Sequence, residues 1–162
     1  AMRKLVPSDT HIPRAPHSLP EAIIDQIKKS DMVLHAGDFV DEEVFDNIMK
    51  LNKNLYAVYG NMDSQVLRRR LKAKEVVTVG RFKIGLIHGY GAPKDLIQTV
   101  RGEFKNVDVI VFGHSHSAVN TEKDGILFFN PGSPTDTIFA KTNTYGILEV
   151  TEKGIEGTIV RL

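Results

Sequence analysis

Five segments of the sequence place His, Asp or Asn next to Gly or Ser directly after a short apolar run. Because ligands of α/β proteins bind in the crevice outside the carboxyl ends of strands, we expect these five endings to converge on one site. Glycine lets the backbone turn sharply at such a point. The segments are Ser8-Asp9-Thr10-His11, Gly37-Asp38, Gly60-Asn61-Met62-Asp63, His88-Gly89 and Gly113-His114-Ser115-His116.

The residue types in these segments are those that bind divalent metal ions. Asp9 and His11 are two positions apart, as are His114 and His116, and extended backbone points both members of such a pair to the same side. Imidazole, carboxylate and carboxamide groups suit Mn, Fe, Co, Ni or Zn better than Ca or Mg, which prefer oxygen shells. One catalytic ion with open positions needs fewer donors than the sequence offers, so two ions are favoured. The candidate ligands are Asp9, His11, Asp38, Asn61, His88, His114 and His116.

Short runs rich in Val and Ile alternate with helical patterns over the first two thirds of the chain, which is typical of an α/β fold. The predicted strands are 2–6, 32–35, 55–59, two strands joined at Gly80 and Arg81, 107–112, 119–120, 126–129, 145–150 and 155–160. The predicted helices run from about 18 to 30, around 44–49, over 65–72 and onward from Pro93. Several late strands are joined by turns too short for a crossover, which favours antiparallel pairing there. The number of strands favours two stacked sheets with helices outside.

The motifs D-x-H, G-D, G-N, H-G and G-H-x-H, in this order, resemble those of the calcineurin-like metallophosphoesterases. The resemblance covers Asp9 to His116. The short chain, with Asn130-Pro131-Gly132-Ser133 after the last His, is similar to the small prokaryotic phosphodiesterases of that superfamily. The resemblance implies an α/β fold in the form of a four-layer αββα sandwich, with two stacked mixed β-sheets flanked by helices, as a single domain over residues 1–162.

The resemblance also implies how the ligands are shared between two ions. Asp9, His11 and His116 are expected to bind one ion, Asn61, His88 and His114 the other, and Asp38 to bridge them. Manganese is the expected metal, and Ni, Fe, Co or Zn are alternatives.

The expected reaction is hydrolysis of a small or activated phosphodiester. Two divalent ions about 3.5 to 4 Å apart lower the pKa of a shared water toward about 7, so a metal-bridging hydroxide is expected to attack phosphorus. Asp9, Asp38 and the hydroxide carry fewer negative charges than the metals carry positive ones, which leaves a surplus for the anionic phosphate. Through this hydroxide, Asp38, His88 and Asn61 are the expected catalytic residues.

Met62 departs from the pattern of many relatives, in which a His after the Asn is thought to protonate the leaving group. A thioether cannot donate a proton, so esters that need a general acid are expected to react slowly. A diester has one negative charge fewer than a monoester to repel hydroxide. Diesters and activated esters are therefore the expected substrates.

Several other polar residues each admit two interpretations. Asp63 either orients the site or caps the following helix. The run Arg68-Arg69-Arg70 either attracts a nucleotide or nucleic-acid backbone or forms a solvated helix face, and the solvated face is favoured. Asn130 to Ser133 is a plain turn or a loop near phosphate. His35, inside an apolar strand, is expected to be hydrogen-bonded in the core or behind the ligands, and His17 to lie on a surface loop.

Composition limits the functional classes. The 162 residues include no cysteine, which excludes disulfides, thiol nucleophiles and thiolate zinc sites. Lys and Arg number 21 against 20 Asp and Glu, so no overall field draws the protein to nucleic acid or membrane. No segment approaches the roughly 20 apolar residues of a membrane span, so a cytoplasmic location is expected.

The expected partner is a small phosphodiester or nucleotide substrate, and relatives of the family imply self-association. A phosphatase or nuclease with the same metal site is the nearest alternative function. A non-catalytic scaffold, the role of a eukaryotic relative of this fold in membrane-coat sorting, is the alternative of a different class.

Overall fold

The computed structural model describes residues 2–10, 19–135 and 142–162. These residues form two five-stranded sheets and four α-helices. The strands are β1 (Met2–Val6), β2 (Met32–His35), β3 (Leu55–Ala57), β4 (Lys74–Val79), β5 (Phe82–Ile87), β6 (Val109–Val111), β7 (Val119–Lys123), β8 (Ile126–Asn130), β9 (Thr144–Thr151) and β10 (Gly154–Arg161). The helices are α1 (Glu21–Lys29), α2 (Glu42–Leu51), α3 (Gln65–Arg70) and α4 (Leu96–Arg101), the last preceded by a 3-10 turn at Pro93–Asp95.

The first sheet has the strand order β10-β9-β1-β2-β3. β1, β2 and β3 are parallel, and α1 and α2 connect them, as the alternating pattern of the sequence predicts. β9 and β10 form an antiparallel hairpin on the other side of β1. The carboxyl ends of the three parallel strands therefore lie at one edge of this sheet.

The second sheet has the strand order β4-β5-β6-β8-β7. Its central strands β5, β6 and β8 are parallel, and the antiparallel strands β4 and β7 flank them. The sheets meet at both sides: the Asn120 amide donates to the Gly157 carbonyl at 2.9 Å, and Val58 pairs with Lys72 in an isolated bridge. The hairpins β4–β5, β7–β8 and β9–β10 confirm the predicted antiparallel pairing.

Apolar side chains form three layers that correspond to the strand and helix faces. One cluster lies between the sheets and includes Val6, Leu34, Leu86 and Phe129. A second fills the outer face of the first sheet with residues of α1, α2 and α3, and a third packs α4 on the outer face of the second sheet. The predicted αββα sandwich is confirmed. No helix in the described ranges is both long and apolar enough to cross a membrane.

Some predicted strand and helix bounds are wrong. β3 ends at Ala57 rather than at residue 59, because Val58 and Tyr59 turn toward Lys72, which precedes β4. β6 covers only Val109–Val111 of the apolar run 107–112. The buried residues Val58 and Phe112 continue the two runs from the strands toward their functional ends.

Lys4 is a buried cation in β1. Side chains alternate along a strand, so Lys4 and Val6 share the face that packs between the sheets. The Lys4 side chain is fully buried, and its Nζ has no hydrogen-bond partner among the residues that the structure describes. Burial lowers the pKa of Lys4, while the nearby Asp31 carboxylate opposes that shift. An ammonium group in this position destabilises the fold.

We expect Lys4→Met to raise the free energy of unfolding by at least about 1 kcal/mol, because it removes the cost of burying an unpaired polar group. Urea unfolding monitored by circular dichroism measures this change. Lys105→Met, at an exposed loop position, is the matched control and should stay within about 0.5 kcal/mol of the parent. A lower stability of Lys4→Met would show that the ammonium group stabilises the fold.

Candidate metal centre

The ends of five parallel strands carry the polar residues singled out in the sequence. Asp9, Asp38 and Asn61 follow β1, β2 and β3, while His88 and His114 follow β5 and β6. The His88 ring contact with the Ala36 carbonyl joins the two sheets at this edge, and backbone contacts join neighbouring strand ends within each sheet. The Gly113 N–H donates to the His88 carbonyl at 3.0 Å, and the Asp9 N–H donates to the Gly37 carbonyl at 2.9 Å. The predicted convergence of the five segments therefore occurs.

Two buried carboxylates and two imidazoles meet at the centre of this edge. His88 Nε2 lies 3.2 Å from Asp38 Oδ2 and 3.8 Å from Asp9 Oδ1. His116 Nε2 lies 3.2 Å from the same Asp9 Oδ1. Asp9, Asp38 and His116 each offer a ligand atom within 4.8 Å of the others. This is the spacing expected of side chains that hold a metal ion.

The other predicted ligands lie next to this group, with one exception. The His114 ring packs edge-on against the His88 ring, with 5.4 Å between centroids. Asn61 and His114 line one cavity of about 370 Å³ together with Asp38 and His116. His11 lies outside the described residues. The structure therefore brings six of the seven predicted side chains to one place.

Two buried polar atoms at the centre require a further partner. The Nδ1–H of His88 donates to the Ala36 carbonyl at 2.8 Å, so its Nε2 is the atom directed at the carboxylates. Within the described ranges, the contacts of His88 Nε2 and Asp9 Oδ1 are those with the charged side chains of this group. Buried polar groups are normally satisfied. A divalent cation would serve both atoms, so the residues present fit a metal ion.

The charges of the site also fit a metal ion. Burial opposes ionisation of Asp38, yet the hydrogen bond and charge of His88 hold the pKa of Asp38 below its ordinary value. Burial likewise lowers the pKa of His88, but contact with the Asp38 and Asp9 carboxylates outweighs it and raises that pKa. A protonated His88 would compensate the charge of the two carboxylates. A metal ion that replaces this proton restores the same charge balance.

Four of the candidate ligands adopt left-handed backbone. Asp9, Asp38, His114 and His116 have φ values of 52°, 61°, 73° and 61°. Such conformations are uncommon outside glycine and cluster at functional sites. The prediction that extended backbone pairs His114 with His116 is wrong, because a left-handed turn at each residue aims its side chain.

Two glycines let the loops approach the carboxylates. A Cβ at position 60 would collide with the Asp38 carboxylate, and a Cβ at position 113 would collide with the Ser8 hydroxyl and lie 2.8 Å from Asp9 Oδ2. Ser8 Oγ itself donates to Asp9 Oδ2 at 2.8 Å. The Gly-Asn and Gly-His dipeptides of the sequence are thus explained by close packing around the acids.

Asp63 orients the site and does not cap α3. Its Oδ2 accepts the backbone N–H groups of Asp38 at 2.9 Å and Gly60 at 2.8 Å, and its Oδ1 accepts that of Val40 at 2.7 Å. The helix cap is Ser64, whose side chain accepts from the Leu67 N–H. Burial raises the pKa of Asp63, and the three backbone donors oppose that shift. One carboxylate thereby fixes the loop of Asp38 against the loop of Asn61.

Asp63→Asn should weaken metal binding by roughly 10- to 100-fold, as loss of outer-shell partners of metal ligands typically does. The amide places an N–H against a backbone N–H and leaves that donor unpaired, which also costs about 1 to 3 kcal/mol of stability. Calorimetric titration with Mn²⁺ measures the affinity. Asp41→Asn, an exposed neighbour, is the control and should bind as the parent does. Equal affinities of the Asp63 variant and the parent would remove Asp63 from the site.

His35 connects two loops of the centre from the buried side. Its Nδ1 accepts the Gly37 N–H at 3.0 Å, so Nε2 carries the proton of the neutral ring and donates to Thr10 Oγ1 at 2.9 Å. The ring stacks on Phe39 with 3.6 Å between centroids. Burial lowers the pKa of His35 to about 3; the nearby His88 adds to this and Asp38 opposes it. The predicted hydrogen-bonded role behind the ligands is confirmed.

The lowered pKa of His35 predicts acid sensitivity. Above pH 6.5 the ring is neutral in both states, and its contribution to stability is complete. As pH falls from 6.5 toward 3, the unfolded chain binds a proton that the folded chain does not, so stability falls by about 1.4 kcal/mol per unit. Urea titrations in chelator at several pH values should show this slope, reduced by about that amount in His35→Gln. Parallel curves for both proteins would contradict the assignment.

The Asn130 to Ser133 segment supports the ligand loops from behind. Asn130 is buried, and its amide donates to the Gly113 carbonyl and to Ser115 Oγ, both at 3.1 Å. Ser133 Oγ donates to the Asp9 carbonyl at 2.8 Å. These contacts show that the segment is more than a plain turn, and a position near phosphate stays a prediction. Sequence analysis missed this role, and only the position after the last His could have indicated it.

The three arginines of α3 point in different directions, because successive helical residues are about 100° apart. Arg70 pairs with Glu42 at 2.8 Å and Asp46 at 3.1 Å, away from the ligands. Arg69 is exposed. Arg68 lies beside Asn61 and lines a second cavity of about 280 Å³ that also includes His88. All three arginines are exposed, as the predicted solvated face requires, and Arg68 in addition lines this cavity.

Comparison with known proteins identifies relatives of this arrangement. Residues 2–153 match the model of the calcineurin-like phosphoesterase superfamily domain. A probable metallophosphoesterase of Methanocaldococcus jannaschii is 38% identical over 131 residues, which are 79% of this chain and 66% of that protein. The chain thus spans slightly less than two thirds of that relative's length.

Solved structures share the whole fold. A solution structure of a Thermotoga maritima protein has 34% identity and a TM-score of 0.77, with full coverage of both chains. A structure described as a novel archaeal phosphodiesterase has 26% identity and a TM-score of 0.74, covering 99% of this chain and 100% of that one. Wild-type Vps29 of Entamoeba histolytica in complex with Zn²⁺ has 26% identity and a TM-score of 0.73, covering 99% of both.

Proposed function

Because the chain belongs to the calcineurin-like phosphoesterase superfamily, we propose that it is a phosphodiesterase whose centre holds two divalent metal ions. The observation that carries the proposal is the pair of buried carboxylates, Asp9 and Asp38, in contact with His88 and His116 beside an open cavity. A structural ion pair would not need an opening. The name of the archaeal phosphodiesterase neighbour supports a diester as the substrate class.

The two carboxylates have distinct positions in this proposal. Asp9 lies between His88 and His116, and its second oxygen is held by Ser8. Asp38 lies at the boundary of the first sheet with the Asn61 loop, and its Oδ1 accepts the Met62 N–H at 2.8 Å. Asp38 is therefore placed to serve ligands on both sides, which supports its proposed role as the bridge. Asn61, His88 and His114 complete the second position.

Divalent ions, when bound, lower the pKa of a coordinated water toward neutrality and compensate negative charge on a phosphate. The protein's own residues prepare the site for such ions. Asp63 fixes the loops of Asp38 and Asn61, and the Ala36 carbonyl fixes the His88 tautomer so that Nε2 faces the carboxylates. Such preorganisation is what the outer partners of metal ligands provide.

The cavity beside the centre supports a diester whose leaving group departs without protonation, as a stable anion. Met62 lines it, together with Val40 and Pro93, and the Met62 side chain is 61% exposed. These three side chains offer no proton to a leaving oxygen. An ester group that leaves without protonation suits such a wall, which favours activated diesters over ordinary monoesters. Manganese is the proposed metal.

A scaffold without catalysis is the alternative, since Vps29 proteins share this fold. The cluster of buried carboxylates and imidazoles beside an open cavity favours catalysis over a purely structural role. A phosphatase or nuclease with the same centre differs in substrate rather than in ligands.

Removal and replacement of the metal tests the proposal. The protein is stripped with chelator and then supplied separately with Mn²⁺, Ni²⁺, Zn²⁺ or Mg²⁺. Hydrolysis of bis(p-nitrophenyl) phosphate and p-nitrophenyl phosphate is followed by absorbance. We expect turnover only with metal, highest with Mn²⁺ and faster for the diester. No metal-dependent turnover of either ester would contradict an enzymatic function.

A further inference from the structure

We propose that the cavity beside Arg68 binds a second anionic group of the substrate, so that the substrate is a phosphodiester carrying a further phosphate, as nucleotides do. The inference rests on the proposed function for the statement that the ligand is a substrate. The cavity has a volume of about 280 Å³ and is lined by Asn61 and His88 on the metal side. Arg68, Tyr59, Tyr90 and Glu103 also line this cavity.

Arg68 is held in place by neutral groups. Its Nη2 donates to the Asn61 carbonyl at 2.8 Å and its Nε to the Asp63 carbonyl at 3.3 Å. The guanidinium carbon lies 5.4 Å from the Tyr59 ring centroid, within cation–π range. These contacts fix the guanidinium without cancelling its charge.

The charge of Arg68 is uncompensated, in contrast to that of Arg70. Arg70 pairs with two carboxylates, whereas no carboxylate in the described ranges forms an ion pair with Arg68. Glu103, the acid that lines the same cavity, lies 3.8 Å from Lys74 Nζ, which balances it. Arg68 therefore contributes to the cavity lining a cation that has no ion-pair partner among the described residues. A planar guanidinium is suited to bind a phosphate group through paired N–H donors.

The positive charge of Arg68 lies next to one of the predicted metal ligands. It is anchored on the backbone carbonyl of Asn61, whose side chain also lines the first cavity. Both cavities thus open from the same residue, one with the apolar wall of Met62 and one with Arg68 and Tyr90. A diester with its scissile phosphate at the metals would place one substituent in each cavity.

Equilibrium binding tests the inference without requiring turnover. Thymidine 3′,5′-bisphosphate and thymidine 3′-monophosphate are titrated calorimetrically into the Mn²⁺-loaded protein. A charge-assisted phosphate contact predicts that the bisphosphate binds at least about 10-fold more tightly. In Arg68→Met this ratio should fall to about 1, because the cation is lost. Loosening of the Asn61 loop would weaken both ligands alike and leave the ratio unchanged.

Arg69→Met is the matched control, since it removes the same charge from the adjacent exposed position of the same helix. Its ratio should equal that of the parent. A ratio of about 1 in the parent, an unchanged ratio in Arg68→Met, or an equal loss in Arg69→Met would each overturn the inference. Failure to hydrolyse any diester while the ratio behaves as expected would instead contradict the proposed function alone.

Discussion

Asp38→Asn is expected to reduce kcat/KM for bis(p-nitrophenyl) phosphate by more than about 100-fold, because outer-shell changes alone cost 10- to 100-fold at metal sites. Asn retains an oxygen for the Met62 N–H that Asp38 accepts at 2.8 Å, so the loop should keep its position. The substitution removes the charge that faces His88 at 3.2 Å. The loss should therefore arise from metal binding and not from misfolding.

Comparison with Asp9→Asn separates a bridging ligand from an ordinary one. Asp9 is expected to bind one ion, so its variant should lose affinity at one position and keep the other. Asp38→Asn should weaken both together. Calorimetric titration with Mn²⁺ measures each affinity, and the unfolding midpoint of the metal-free variants checks the fold. Two fully occupied positions and a normal rate in Asp38→Asn would show that Asp38 is not the bridge.

Met62→His is expected to raise monoester turnover relative to diester turnover by at least about 10-fold, since a positioned general acid contributes roughly 10² to 10⁴. The side chain at this position is exposed and lines the cavity that also contains Asn61 and His116. Its backbone N–H is held by Asp38, so the substitution changes the cavity wall without moving the loop. The ratio of kcat/KM for p-nitrophenyl phosphate and bis(p-nitrophenyl) phosphate is the measurement.

Met62→Gln is the control for polarity, because an amide adds hydrogen-bonding capacity without a proton that it can transfer near pH 7. It should leave the ratio near that of the parent. The gain in Met62→His should also depend on pH around the pKa of an exposed imidazole, near 6.5. The same ratio in both variants would contradict the view that the missing acid determines the choice of ester.

The strand ends and their residue types were predictable because they follow from local pattern. Apolar runs followed by Asp, Asn or His next to Gly or Ser mark parallel strands with functional ends, and β1, β2, β3, β5 and β6 are all followed in this way. The two-sheet fold followed from the number of strands and the short late turns. Each of these signals lies within a few neighbouring residues.

The supporting contacts were not predictable because they join residues distant in sequence. The three backbone N–H groups that Asp63 accepts include those of Asp38 and Val40, more than 20 positions away. Ser133 reaches Asp9 across 124 positions. The left-handed backbone of His114 and His116 likewise depends on packing against the Asp9 loop, and periodicity does not encode it.

The different partners of the three arginines in α3 were likewise not predictable from the sequence. Sequence composition treats Arg68, Arg69 and Arg70 as one basic patch. Helical geometry separates them, and tertiary contacts then give Arg70 two acidic partners and Arg68 two backbone carbonyls. Which arginine keeps its charge available depends on these contacts.

The number of ions bound per chain tests the central claim most directly. Chelator-stripped protein is saturated with Mn²⁺, desalted and measured for metal and protein content. Two ions per chain are predicted, because Asp9 and Asp38 with the surrounding His and Asn side chains offer more donors than one catalytic ion uses. One ion or none at saturation would contradict the dinuclear centre.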